Sequence, residues 1–275
     1  MLEAHGLSLA LPDRAARRAF GPSPLVPILR NIDLTLAAGQ SLGIVGESGS
    51  GKTSLGRALI RLYRPTGGRL QFEGRDITNL PEADLRPLRE RMQFIFQDPL
   101  SALNPRQRIA TILARPLRAF GRAGSAKAAR RHAAGLLDRV GLAESLLDRY
   151  PHQLSGGQRQ RIGIARAIAL EPRLVVADEI TSGLDVSTQA QILTLLRALK
   201  RDMGLALIFI SHDLSTVRIL CDRVLVLRQG EVAETGPCAE VFAAPKHPYT
   251  RLLLDSIPLP EIEPGWLDRV PAPEL

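Results

Sequence analysis

The sequence predicts an α/β fold: a parallel sheet covered by helices, an antiparallel β layer from the N-terminal third, and an α-helical lobe inserted midway. Three observations predict it. Four continuously apolar runs, SLGIVG (Ser41–Gly46), MQFIFQ (Met92–Gln97), RLVVAD (Arg173–Asp178) and LALIFIS (Leu205–Ser211), have the character of parallel strands buried on both faces, with helical stretches between them. LEAHGLSLAL (Leu2–Leu11), RNIDLTLAAGQ (Arg30–Gln40) and GRLQFEGRDI (Gly68–Ile77) instead alternate apolar and polar residues, which suits an antiparallel layer. From about Leu100 to Gln153 there is no strand signal; QRIATILARPLRAF (Gln107–Phe120) and AKAARRHAAGLLDRVGL (Ala126–Leu142) read as helices of the lobe.

Taken in chain order, the first two alternating strands flank an irregular segment rich in Pro and Arg, Pro12–Pro27. SLGIVG breaks into glycines, and TSLGRALIRLY (Thr53–Tyr63) follows with helical spacing: strand, glycine loop, helix. After the lobe and the last two apolar runs, DRVLVLRQGEVAETG (Asp222–Gly236) reads as a hairpin with a tight turn at Gln229–Gly230. Beyond Gly236 the chain is rich in Pro and Glu and is expected to pack on the surface. Neither internal repeats nor low-complexity tracts occur.

Composition sets limits. The 275 residues are 45% hydrophobic, enough for one large domain or a domain with a lobe attached. No apolar run reaches the roughly 18 residues of a membrane span. Asp13, Arg14, Arg17 and Arg18 precede any signal-peptide-like stretch, so a cytoplasmic location is expected. Cys221, in apolar RILCDRV, reads as core and Cys238 as a loop residue, with no disulfide between them. The net charge is +8, but 32 of the 36 basic residues are arginines spread along the chain without a dense block, so no nucleic-acid partner is expected.

GESGSGKTS, comprising Gly46, Glu47, Ser48, Gly49, Ser50, Gly51, Lys52, Thr53 and Ser54, fits the phosphate-loop pattern. The glycines let backbone N–H groups turn inward, and the following helix N-terminus adds partial positive charge. Lys52 is placed to reach the β- and γ-phosphates and the Thr53 hydroxyl to ligate Mg²⁺. A chance glycine turn is the alternative, and the strand and helix on either side argue against it. RLVVADE ends in Asp178, suited to a metal's water shell, and Glu179, suited to polarising a water. Alone that run reads equally as a strand ending in a solvated acidic turn; the phosphate loop gives it meaning. LIFISHD ends a strand at His212; a single histidine is more often structural, but this strand should end on the ligand-binding edge. LSGGQRQR (Leu154–Arg161) is a second phosphate-like loop without a Lys-Thr, and an ordinary helix cap at Ser155 is the competing reading.

Together the phosphate loop, Gln97 in FIFQDP, LSGGQ, Asp178–Glu179, SGLD (Ser182–Asp185) and His212 resemble, in order, the motifs of an ATP-binding cassette (ABC) ATPase over about residues 2–255. The resemblance implies a P-loop NTPase core of RecA-like type, with an ATPase domain at 1–236, a helical lobe at about 98–160 and a C-terminal extension at 237–275. It implies two cassettes dimerised head to tail, with ATP on one phosphate loop capped by Leu154, Ser155, Gly156, Gly157 and Gln158 of the other. Glu179 is then the base, His212 contacts the γ-phosphate, and Ser182 and Asp185 reach across the dimer. Thr53, Gln97 and Asp178 serve Mg²⁺, and Gln97 also links the site to the lobe. Leu11 stands near where many relatives place an adenine-stacking aromatic, with Phe20 the nearest substitute. Ile180 and Gly183 depart from the family's usual sequence after the glutamate, and with no cysteine after Cys238 no iron–sulfur cluster is implied.

FQDPLSALNPR, YPHQLSGGQRQR, DVSTQAQIL and the late HPYTRLLLDSIP resemble the oligopeptide, dipeptide and nickel importer ATPases, and GKTSLGR the second ATPase of such systems. This implies a non-identical partner ATPase, with a homodimer as the alternative, two membrane permeases and an extracytoplasmic solute-binding protein. The place of action is the cytoplasmic face of the cell membrane, with a permease helix received around Asp98–Phe120. Peptide is the first solute implied, nickel or a metal chelate the second. A ribosome- or nucleic-acid-associated cassette protein would call for paired cassettes or coiled-coil arms. A catalytically dead binding module is opposed by the presence of Lys52, Gln97, Asp178, Glu179 and His212.

Overall fold

A computed structural model of the chain describes residues 1–13, 23–98 and 102–256. It forms two compact units: Met1–Arg86 with the segment from Ile208 onward, and Pro87–Leu207.

The first unit begins with β1 (Leu2–Pro12) paired antiparallel to β2 (Leu25–Leu36), in register from Leu2↔Leu36 to Pro12↔Leu25. The buried face of β1 changes phase: Leu2 and Ala4, then Leu7 and Leu9. A bulge between Ala4 and Leu7 inserts the residue that makes this possible, and Asp33 accepts the displaced Gly6 N–H at 2.8 Å. The ladder continues to Val26 and Leu25, so strand pairing reaches into the segment expected from the sequence to be irregular. Pro27 is tolerated because β2 is an edge strand. Next come β3 (Ser41–Val45) and α1 (Lys52–Leu59), then β4 (Gly67–Phe72) and β5 (Arg75–Asp76). These complete an antiparallel sheet of order β2-β1-β4-β5, as the alternation predicted, with Phe72 fully buried.

A short helix that the sequence reading did not include, α2 (Glu82–Arg89), leads into β6 (Met92–Ile95). In the second unit α3 (Ile109–Ala119) and α4 (Ala126–Arg139) form the predicted helices. Each buries one stripe: Ile109, Ile112, Leu113 and Leu117 on α3, and Ala129, Ala133, Leu136 and Leu137 on α4. Ser125 caps α4 by accepting the Ala128 N–H at 3.2 Å. α5 (Gly156–Ile168) is buried almost all round from Gln160 onward. β7 (Leu174–Asp178), α6 (Val186–Met203) and β8 (Ala206–Ile210) follow, and both strands are buried at every position. Such burial explains their unbroken apolar runs. The strand order in this unit is β8-β7-β6.

The boundary between units falls within β8. The first unit then resumes with α7 (Leu214–Leu220), β9 (Arg223–Arg228), β10 (Glu231–Pro237), α8 (Cys238–Ala243) and α9 (Pro248–Ser256). Its strands run in the order β10-β9-β3-β8, with β3 and β9 parallel from Leu42↔Arg223 to Val45↔Val226. The β9–β10 hairpin turns at Gln229 and Gly230, both at positive φ, as predicted.

Two expectations are corrected at the C-terminal end. Cys238 is not in a loop: it opens α8, is buried, and its N–H donates to the Asp222 carbonyl at 3.0 Å. Burial, reinforced by the Asp222 charge, pushes its thiol up to about 12, and neither Cys221 nor Cys238 is joined in a disulfide. Beyond Gly236 the chain builds two helices that insert Val241 and Tyr249 into the unit's interior. Phe20 and residues 257–275 lie outside the described residues. Among the described residues no helix is long and apolar enough to cross a membrane.

Asp185 caps α6, its carboxylate accepting the Thr188 N–H at 2.9 Å and the Thr188 hydroxyl at 2.7 Å. The backbone bond and then the hydroxyl bond hold its pKa below the ordinary 3.8. A carboxyl depressed in the folded state stabilises above its unfolded pKa, and that contribution disappears as pH falls through the lower folded value. Asp185→Ala is therefore expected to be less stable than the wild type near neutrality, the gap closing below about pH 4. Urea unfolding from pH 7 to pH 2 measures this, and a gap that widens with acid would contradict it.

Candidate functional site

In the first unit every residue of β3 is buried, and Val45 runs directly into Gly46. Gly46 has φ 148°, and a Cβ there would lie 2.1 Å from the Leu227 carbonyl oxygen in β9. Only glycine lets the strand leave this close to its neighbour. The loop then folds back on itself, with Ser50 N–H donating to the Glu47 carbonyl at 3.2 Å. Lys52, first residue of α1 and buried, donates from Nζ to the carbonyls of Gly46 and Glu47, both at 2.8 Å. Its ammonium therefore lies over the loop rather than in solvent. The amides of Lys52, Thr53 and Ser54 begin α1 outside the intrahelical ladder, and no acidic side chain occupies the first turn. Ser50 Oγ is buried without a hydrogen-bond partner, a polar atom that a phosphate oxygen would satisfy. Glu47, Ser48 and Gly49 are exposed, whereas Thr53 and Ser54 are half-buried.

His212 follows β8 in the same unit. Ser211 N–H donates to the Ile44 carbonyl at 3.2 Å, so His212 leaves the sheet beside the end of β3, where the phosphate loop starts. Ser211 Oγ accepts the Asp213 N–H at 3.0 Å, and Asp213 caps α7 through the Ser215 N–H at 2.9 Å. His212 is exposed between two braced neighbours. The Leu11 side chain is half-buried in β1, opposite Val26.

In the second unit β6 and β7 are parallel from Met92↔Leu174 to Ile95↔Ala177. Two residues beyond that last pair stand Gln97 and Glu179. Their side chains meet, Gln97 Nε2 donating to Glu179 Oε2 at 2.9 Å. Asp178 ends β7 and is buried. Glu179 has φ 46°, the left-handed region that costs a non-glycine residue about 1 kcal/mol. The turn that holds it includes the Ser182 N–H bonded to the Glu179 carbonyl at 3.1 Å. Ile180 fills the core beneath this turn, 1% exposed, while Gly183 has φ 74° with open space around it.

The LSGGQ segment opens α5, and the helix-cap reading holds for its side chains. Ser155 Oγ accepts the Gln158 N–H at 3.2 Å, and Gln158 Oε1 accepts the Ser155 N–H at 3.0 Å, a capping box. Leu154 is buried and anchors the turn, while Ser155 and Gly156 are exposed. The cap does not account for the second glycine. A Cβ at Gly157 would lie 2.7 Å from the Thr188 methyl, and Thr188 is pinned to Asp185. Leu184 lies 3.7 Å from the Cβ position of Gly156, so LSGGQ and SGLD form one surface. Ser182, Gly183, Asp185 and Val186 are exposed there, Val186 at 76%. Sequence reasoning missed two residues. Arg161 is buried against the Val140 carbonyl at 2.9 Å and Gln191 at 2.8 Å, and burial lowers its pKa. Tyr249 accepts the Glu47 N–H at 3.1 Å. The quoted HPYT segment was the only signal for it.

Residues 29–182 match the ABC transporter family, and residues 233–273 match the C-terminal region of oligopeptide/dipeptide transporters. A putative peptide import ATP-binding protein of Brucella ovis is 48% identical over 239 residues, 87% of this chain and 75% of that protein. The oligopeptide transport ATP-binding protein OppF of Escherichia coli K12 is 45% identical over 240 residues, 87% of this chain and 72% of that one. Among solved structures, an ATP-binding cassette in a dimeric post-hydrolysis state bound to ADP and Pi superposes with a TM-score of 0.76. It is 28% identical and covers 86% of this chain and 99% of that one.

Gly46→Ala and Gly49→Ala separate close approach from backbone strain. A Cβ at Gly49 meets nothing within 4 Å, although φ is 81°. Gly49→Ala is expected to cost about 1 kcal/mol through φ alone, and Gly46→Ala about 3 kcal/mol or more, because backbone must move. Denaturant midpoints give the order, and equal losses would refute the packing argument.

Proposed function

The chain belongs to the ABC transporter family of ATP-binding subunits, and on that premise we propose that it binds and hydrolyses ATP to power import of oligopeptides or dipeptides. The observation that carries the peptide reading is the oligopeptide/dipeptide C-terminal region at 233–273, joined to an ATPase whose motif residues are all present.

ATP phosphates are received by the loop amides, the α1 N-terminus and Lys52, with the partnerless Ser50 hydroxyl available to one phosphate oxygen. In the second unit Asp178 and Gln97 offer hard oxygen donors that suit Mg²⁺, an ion usually held by one or two carboxylates together with water and substrate phosphates, and the Thr53 hydroxyl of the first unit is a donor of the same kind. When bound, Mg²⁺ supplies charge neutralisation at the phosphoryl oxygens. Glu179 accepts a proton from the attacking water as its oxygen bonds to the γ-phosphorus. The bond from that phosphorus to the β–γ bridging oxygen breaks, giving ADP and inorganic phosphate. Gln97 orients the Glu179 carboxylate through the 2.9 Å bond, and His212 donates a hydrogen bond to the γ-phosphate.

The LSGGQ segment lacks a lysine because it serves nucleotide held by a partner's phosphate loop. Ser155 Oγ accepts the Gln158 N–H of its own helix, which leaves its O–H donor, with the Gly156 and Gly157 amides at the α5 N-terminus, to face the γ-phosphate. Ser182 and Asp185 lie on the same exposed surface and face the partner. That partner is a related, non-identical ATPase subunit, with two permeases and an extracytoplasmic solute-binding protein completing the complex. The subunit works peripherally at the cytoplasmic face of the membrane.

Glu179→Gln is expected to lower turnover about a hundredfold or more while ATP binding persists; full-rate turnover would remove Glu179 from the base role. Ser155→Arg is expected to retain ATP on the phosphate loop yet lose the closed dimer, as measured by light scattering with ATP. In the complex reconstituted with its cognate permeases and binding protein, peptides are expected to raise the ATPase rate. Stimulation by nickel and not by peptides would overturn the solute assignment.

A further inference from the structure

Tyr249 is 4% exposed, and its hydroxyl oxygen accepts the N–H of Glu47, second residue of the phosphate loop, at 3.1 Å. Nothing in the ATPase chemistry requires this contact, which comes from a helix outside the ABC family match at 29–182. It is nonetheless built from several sides. Glu234 in β10 accepts the Lys246 N–H at 2.9 Å and the His247 N–H at 3.0 Å, one on each carboxylate oxygen. His247 Nδ1 then accepts the Tyr249 N–H at 3.1 Å, and Pro248 opens α9 with its φ already helical. Arg251 closes the turn from the other side through the Pro245 carbonyl at 3.0 Å. The Arg228 guanidinium sits 5.0 Å from the centre of the Tyr249 ring. The His-Pro-Tyr run therefore acts as a bracket: Glu234 fixes the turn, His247 and Pro248 start the helix, and Tyr249 points at the loop. Burial raises the phenol pKa, so the hydroxyl stays protonated at neutral pH.

We propose that Tyr249 is a positioning residue for nucleotide binding, through which the C-terminal extension pre-orders the phosphate loop. The loop carries three glycines, Gly46, Gly49 and Gly51, and without a tether its leading arm would lose freedom each time ATP bound. Hydrogen-bonding Glu47 N–H to a buried phenol fixes that peptide before the nucleotide arrives, so less ordering remains to be done on binding. The phenol and the loop also share a cleft of about 260 Å³ lined by Glu47, Ser48, Gly49, Ser50, Arg228 and Leu252, among others. The proposal rests on the ATPase reading and adds to it a reason for the extension to be attached to the ATPase.

The test compares wild type, Tyr249→Phe and Glu234→Ala as full-length chains with the cognate partner ATPase. Tyr249→Phe keeps the ring over Arg228 and loses only the hydroxyl; Glu234→Ala releases the bracket without touching the loop. Both are expected to raise the ATP Kd and KM about three- to tenfold, the range of one hydrogen bond, with kcat within twofold. Hydrogen–deuterium exchange of the peptide covering Val45–Ser50, in nucleotide-free protein, is expected to speed up in both variants, with exchange elsewhere in the unit unchanged apart from the Lys246–Tyr249 turn that Glu234→Ala itself releases. Wild-type ATP affinity and wild-type exchange at the loop in Tyr249→Phe would overturn the proposal, as would faster exchange throughout the unit with a lowered Tm, which marks a merely structural tyrosine. A wild-type complex that fails to bind ATP at all would instead overturn the ATPase reading, and this proposal with it.

Discussion

The space between Gly46 and the Leu227 carbonyl, too small for a Cβ, constrains most of what surrounds it. Where β3 leaves the sheet against β9 the loop folds back, Ser50 N–H on the Glu47 carbonyl, and its first carbonyls come within reach of the Lys52 ammonium. Lys52 satisfies two of them from the first position of α1, which places a cation at the loop without exposing its stem. The hairpin turn locks onto the same place, Gly230 N–H donating to the Ser50 carbonyl at 3.0 Å and Arg30 N–H to the Gly230 carbonyl at 2.8 Å. The proposed backbone anion site needs this kind of scaffolding, since glycine-rich loops carry little conformational preference of their own.

A different constraint organises the second unit. Parallel pairing of β6 with β7 fixes which residues stand level with one another at the strand ends, and a shift of one residue would separate Gln97 from Glu179. Glu179 also occupies a backbone region unfavourable to a non-glycine residue, which fits the proposed role, in which the direction of its carboxylate matters. The strands themselves are ordinary: five consecutive buried residues in β7 and five in β8.

On the proposed reading the LSGGQ segment serves two purposes. Its serine and glutamine are engaged in a reciprocal cap, so the cap and phosphate readings do not compete for the same atoms. The second glycine is required by the neighbouring Thr188 rather than by the cap. Asp185, in turn, holds Thr188 in place, so the start of α6 shapes the start of α5.

Local pattern was enough for much of this. Period-two alternation gave the antiparallel layer, uninterrupted apolar runs gave the buried strands, and glycine spacing gave the loop between β3 and α1, because each depends on residues near in sequence. Composition misled where long-range contact governed: Pro and Glu beyond Gly236 suggested a surface tail, yet Val241 and Tyr249 are buried, and Cys238 opens a helix. Pro12–Pro27 seemed irregular throughout, although an edge strand accepts Pro27. The sequence by itself nominated the residues proposed for the chemistry, since residue type and spacing are local properties. Tertiary structure alone decided that Gln97 meets Glu179, that Gly157 abuts Thr188 and that Tyr249 reaches Glu47. Those pairs are separated by as many as 202 positions, and only strand register and helix packing bring them together.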